Sequence, residues 1–459
     1  MVPISSLGAG ARRCRRVAAS LLLLLAASTA MATPCGSTFN PPPALKPALP
    51  PMKPFIPSDA ATDCAMWQAF IYLNWPALKG TRGQPDPNAS FGAPGPTVWE
   101  TFKTFDEVYL PGGKPPPPWT DTALARSRLL ARGVALPAAR DLPTQRLLQS
   151  TRKAFRRPNP GEPQFDEIHQ VDKGVLYDQA SRPVYYEMLM NKVSFDYVVG
   201  HRLYDADLQY AYASATGIVL PVGAVEIKAA WKVLTPQELE ARPLRFHTVQ
   251  ALLPGKSMPA TMGLVGLHVF MMPSLNFRQG FWATFQQVDN APVLNGPVAG
   301  AYSFFDPACA ASACPPNQPS SSPKPTQVVQ VAPSSATAKI VNDFVKELVV
   351  KGNADSPWQF YLLIATQWPT SSTRFGTPGQ PSNEPPVPNG TPSVSTLVNP
   401  TLETFLQRPG VSCIGCHSGA AAAGAGSGRP ALQSSLSFLF GHASSAASAA
   451  SSASSERRR

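Results

Sequence analysis

Apolar positions along this chain follow two periods, in blocks separated by proline-rich breaks. The first block runs from Asp63 to Pro76. Met66, Phe70 and Leu73 fall on one helical face, with Trp67, Ile71 and Asn74 beside them. Asp63 is the expected N-cap and Pro76 the stop. Thr97 to Glu100 reads as a capping box opening a helix through Trp99, Phe102 and Phe105. Lys114 to Pro118 breaks the chain, and a further helix is expected around Asp121 to Arg132.

The period then changes to two. Gly174 to Gln179 and Pro183 to Asn191 read as a hairpin, with Tyr185, Glu187 and Leu189 facing one way and Tyr186, Met188 and Met190 the other. A short helix follows around Phe195 to Leu203. Val222 to Trp231 is a strand with Glu226 and Lys228 on one face. Thr235-Pro236 with Glu238 starts a helix. Arg245 to Leu253, Met262 to Met272 and Phe281 to Val288 are three strands in succession, which suggests an antiparallel meander. Ala336 to Val350 is an amphipathic helix with Ile340, Phe344, Leu348 and Val349 inward. Trp358 to Trp368 is one more buried strand, and Asn399 to Glu403 opens a final helix running into Cys413.

These elements predict an α+β fold. An antiparallel β-rich central domain, a sandwich or a curved sheet, carries flanking helices and a C-terminal helix bearing the cysteine motif described below. The expected boundaries are 33–118 for a Pro-rich N-terminal segment with two helices, 119–310 for the β-rich domain and 311–335 for a Pro/Ser-rich loop. A helix, a strand and the motif region follow at 336–442, and an Ala/Ser tail at 443–459 is expected to be disordered. The apolar patch Leu436 to Phe440 should dock back on the body.

Composition sharpens this picture at the chain start. Arg12, Arg13, Arg15 and Arg16 precede the apolar run Val17 to Ala27, and Ala30-Met31-Ala32 is an A-x-A site. Residues 1–32 therefore read as a secretory signal peptide, with the apolar run too short for a bilayer span. Its loss removes four of the charges behind a formal +11. No Lys/Arg stripe interleaved with aromatics remains, so nucleic-acid binding is not expected. Fifty-two prolines and 15% charged residues imply long extended loops.

Cys413-Ile414-Gly415-Cys416-His417 reads C-x-x-C-H, the attachment signature of a c-type haem. Two thiols at this spacing can each form a thioether to a haem vinyl group. The adjoining imidazole can then reach the iron as proximal ligand. The remaining exported cysteines, Cys35, Cys64, Cys309 and Cys314, are even in number and suit an oxidising compartment. Local pairing gives Cys35–Cys64 and Cys309–Cys314, though four cysteines allow three connectivities.

The residues after His417 are mostly Ala, Ser and Gly around one short apolar patch, and no methionine follows Cys413. The far side of the cofactor must therefore come from upstream. His268, in the otherwise apolar Gly266 to Met272, is the first distal candidate. Gly266 and Phe270 share its face, and Gly266 would leave room for a flat ring. Met188, Met190, Met262, Met271 and Met272 are alternatives, as is an open position. His169, His201, His247 and His442 read as ordinary polar histidines, and Asp196, Asp205 and Asp207 as a solvated acidic face. No G-x-S-x-G, H-E-x-x-H or G-x-G-x-x-G occurs.

Beyond the motif, the chain resembles exported bacterial monohaem cytochrome c-like proteins. The resemblance lies in Phe70 to Pro76, Glu226 to Trp231, Gly263 to His268, Trp282 to Asn290, Thr366 to Pro369 and Ser412 to Ser418, and spans about residues 60 to 440. It implies export and one covalent haem. The expectation is a periplasmic electron carrier with a redox partner protein and no membrane span after cleavage. The alternatives are a haem-dependent oxidoreductase acting on a small molecule, or a gas-binding protein with five-coordinate haem. A carrier alone needs only about 100 residues.

Overall fold

A computed structural model describes residues 35, 43–50, 59–121, 145–147, 174–253, 258–273, 280–298, 300–320, 322–370, 392–424 and 429–445. The chain divides into two units, Met1–Thr33 and Pro34–Arg459, and every described residue lies in the second. The expected signal peptide and most of the expected 121–132 helix lie outside the described residues.

The fold is α+β, built on one mixed sheet that is antiparallel except at one edge. Its strands are β1 (Lys103–Thr104), β2 (Gln145–Leu147), β3 (Tyr185–Met190), β4 (Val225–Val233), β5 (Thr248–Leu252), β6 (Ala260–Met271), β7 (Phe281–Gln287) and β8 (Tyr361–Gln367). One path runs β1-β3-β4-β6-β5-β2, with β2 parallel to β5. β6 is the organising strand. One edge pairs with β4 along nearly its whole length. The other pairs with β5 at Ala260 to Gly263 and with β7 at Gly266 to Met271. β8 adds to β7. The three strands expected from 245–288 are present and pair antiparallel in succession, but β5 and β7 share one edge of β6, so they form a branched sheet and not a simple meander.

Helices flank this sheet: α1 (Asp59–Leu73), α2 (Phe105–Val108), α3 (Lys192–Gly200), α4 (Ala206–Ala215), α5 (Pro236–Ala241), α6 (Ala336–Gly352) and α7 (Cys413–His417). Side-chain alternation gives the sheet two chemically different faces. On one, α1 buries Phe285 against Trp67 and Phe70, with ring centroids 5.0 and 4.4 Å away, and α6 packs on α1 and β8. Such aromatic pairs add about 0.5–1.5 kcal/mol each beyond their buried area. The C-terminal stretch from Leu397 onward crosses the other face. There the Tyr186 hydroxyl donates to the Thr401 carbonyl, and Asn399 Nδ2 donates to Thr284 Oγ1 and the Phe285 carbonyl.

Several expectations are corrected. α1 begins four residues before Asp63, which is buried inside it and bonded to Thr337 and Thr366. Thr97 and Glu100 keep half of the capping box, but only a single 3-10 turn follows, at Trp99–Thr101. The complete box sits at Thr104 and Glu107 and opens α2. The 174–191 hairpin is reduced to the bridge Tyr177↔Pro183 beside β3. Asp205 belongs to no acidic face: it caps α4, accepting from Asp207 and Leu208 N–H. The buried face of α6 is Ala338, Val341, Val345 and Val349, while Ile340 is 59% exposed. Of the 443–459 tail, Ser444 bridges to Asp205 and accepts from Gly112 N–H; residues 446–459 lie outside the described residues.

Candidate functional site

α7 is one turn long and carries both motif thiols and His417. It is a separate turn: the helix expected to run in from Asn399 is only a 3-10 turn at Thr404–Leu406, and the chain breaks before Ser412. Ser412 caps α7, its Oγ accepting from Gly415 N–H at 3.2 Å. Ile414 is buried, and its N–H donates to Gln367 Oε1 of β8 at 2.8 Å. Cys413 and Cys416 are not in disulfides, whereas Cys35–Cys64 and Cys309–Cys314 are, the local pairing. Burial, with Glu403 and Cys416 nearby, pushes the Cys413 thiol well above its ordinary value.

His417 is held from behind. Its Nδ1 lies 2.7 Å from the Leu436 carbonyl. A carbonyl only accepts, so Nδ1 carries the proton and the neutral ring's lone pair is on Nε2. Burial is the main cause that lowers His417 to about 4, so the ring is neutral at pH 7. Ser435 and Leu436 both sit at φ 57°, a conformation bulky residues rarely adopt. That geometry aims the carbonyl at the imidazole, and Leu220 N–H donates to Ser435 Oγ to brace it. Trp282 and Phe438 flank the ring with centroids at 5.7 and 5.0 Å. As expected, the 436–440 patch docks: Leu439 and Phe440 are buried, and Ser437 Oγ donates to Glu226.

The sheet side of the site is a row of register partners. Lys228 on β4, His268 on β6 and Thr284 on β7 lie side by side. Phe270, two residues on, packs against Trp282 at 4.9 Å. Trp282, which flanks His417 at 5.7 Å, is the β7 partner of Phe270, so His268 stands two residues along β6 from that contact and on the same face. Met188 is the partner of Lys228 on the same row, whereas Met271 points to the helix-covered face. The space beside Gly266 is not free for a flat ring. A Cβ there would stand 2.3 Å from Thr401 Oγ1 and 3.3 Å from Leu402.

Glu403, Lys228 and Trp282 belong to this site and were not singled out from sequence. Only the shared face of Glu226 and Lys228 was visible in the alternation. Glu403 Oε2 lies 3.3 Å from His268 Nε2. Burial pushes the Glu403 carboxyl up, but His268, Lys228 and the Asn399 N–H outweigh it and hold the group below its usual range. Burial lowers Lys228, with Glu403 and Cys416 opposing. His247 is a structural histidine, paired to Glu100 at 2.9 Å and stacked on Trp358.

No family model, curated protein or solved structure matches the chain. Among the described residues, no helix is long and apolar enough to cross a membrane, and no group of three His, Cys, Asp or Glu side chains gathers as a metal cage.

Proposed function

We propose that this chain is an exported, periplasmic c-type cytochrome that holds one haem through thioethers at Cys413 and Cys416 and exchanges electrons with a redox partner protein. One observation carries the reading. On a single capped turn, the two cysteines of the described residues that form no disulfide stand beside an imidazole whose Nδ1 is tied to a carbonyl and whose Nε2 lone pair is uncommitted. The donor set suits haem: two thiols for the vinyl groups, one neutral nitrogen for iron, and aromatic walls. When bound, the haem supplies reversible one-electron chemistry at a potential set by axial ligands and burial.

The chain's own residues then have defined roles. The Leu436 carbonyl orients His417 and raises its basicity. Trp282 and Phe438 exclude water from that side. His268 is the distal candidate on the opposing sheet face. A thiol–disulfide exchange role for the same C-x-x-C pair is disfavoured. Reactive cysteines are accessible and acidified, whereas Cys413 is buried and held protonated. The disulfides fit an oxidising compartment.

The alternative, a haem-dependent oxidoreductase or a gas-binding protein, draws support from the ionisable set Lys228, His268 and Glu403 at the site. Visible spectra of the exported protein separate the readings. A six-coordinate low-spin ferrous form that resists CO is expected for the carrier. A high-spin ferrous form that binds CO rapidly would overturn it in favour of the alternatives.

A further inference from the structure

His268 does not stand alone on the sheet face. Its Nε2 is buried, yet its alignment with Glu403 Oε2 at 3.3 Å falls short of a hydrogen bond, which leaves that nitrogen unsatisfied among the described residues. Both side chains are 15% exposed. An unpaired buried polar atom is destabilising, and a small turn of the ring onto the carboxylate removes that cost.

The carboxylate is itself fixed. Glu403 Oε2 accepts the Asn399 N–H at 3.0 Å, and Asn399 Nδ2 is bonded to Thr284 Oγ1 at 2.9 Å. Thr284 is the β7 partner of His268. One strand therefore holds the histidine's neighbour and, through Asn399, the acid. Lys228, the β4 partner, adds a cation on the other flank.

We propose that Glu403 is the positioning residue of His268: it accepts the Nε2–H, fixes the tautomer and the turn of the ring, and leaves Nδ1 as the nitrogen presented opposite His417. Histidines that ligate metals regularly donate their other ring N–H to a carboxylate or carbonyl. Here His417 uses the Leu436 carbonyl and His268 uses Glu403. The two sides of the site are then held by different acceptors, one neutral and one anionic. The anionic partner makes His268 the more electron-rich of the two.

This rests on the haem reading, and the test separates the two. Wild type, Glu403→Gln, Glu403→Ala and His268→Ala are exported and matured, and each is assayed for covalent haem, spin state, potential and ferric cyanide binding. All four should retain covalent haem. His268→Ala should turn a low-spin spectrum high-spin. Glu403→Ala should bind cyanide about 10–100-fold more readily and shift to a more positive potential. Glu403→Gln, which keeps the shape and an accepting oxygen, should lie between. Covalent haem with cyanide binding and potential unchanged in both Glu403 variants would overturn the assignment. So would a high-spin wild type, or a His268→Ala spectrum like that of wild type. Wild type without covalent haem would instead overturn the proposed function itself.

Discussion

Glu226 shows how one residue beside the site couples to pH. Burial raises its carboxyl from 4.5 to about 7, although Ser437 Oγ donates to both oxygens and opposes the shift. Tyr109 is the nearby titratable group, itself raised by burial and by the Glu226 charge. A raised acid binds more protons in the folded chain than in the unfolded one. Its contribution to stability is whole below pH 4.5 and is lost as pH rises through about 7. The loss is on the order of 3 kcal/mol. Glu226→Gln keeps the acceptor for Ser437 and cannot ionise. Urea midpoints should match wild type at pH 4 and exceed it at pH 8. An equal shift at both values would show that the Glu226 carboxyl titrates alike in the folded and unfolded chains, against a raised carboxyl. None of this was legible in the sequence. The alternation put Glu226 and Lys228 on one face, but alternation does not say whether that face meets water or a covering segment.

At the scale of elements, the contact between β6 and the C-terminal segment builds the site. Gly266 permits it, because its missing Cβ is what lets Thr401 and Leu402 lie on the strand. Gly266→Val should cost about 1–3 kcal/mol by overpacking. It should also lift the 399–406 stretch, increasing hydrogen exchange there while α1 and α6 keep their protection. Uniform protection in the variant would contradict this packing. The strands of this region were readable because period-two runs such as β4, β6 and β7 contrast with their turns. The helix from Asn399 was misread for a physical reason. The Asn399 and Glu403 side chains satisfy backbone and neighbouring groups locally, as a cap would, while Gln407 turns back to bond the Glu403 carbonyl. The face of α6 was misjudged because Ile340 is apolar yet exposed, and burial there follows contact with α1 and β8.

Over the whole molecule, distant parts of the chain converge on one turn. β8 anchors Ile414, β7 brings Trp282, β6 brings His268, and residues beyond the motif supply the Leu436 carbonyl. Cys413, Cys416 and His417 were legible because their chemistry is local and needs only spacing. Glu403 was not, because its role depends on a β6 neighbour far away in sequence, and a lone glutamate in a loop carries no signature. The central claim is that Cys413 and Cys416 hold a haem. Intact mass measured on the exported protein after denaturation and organic extraction tests it most directly. The account predicts a single species heavier by one haem, with the added mass on the peptide containing Cys413 and Cys416. A protein that loses all its haem to extraction, with both thiols free to alkylate, would contradict it.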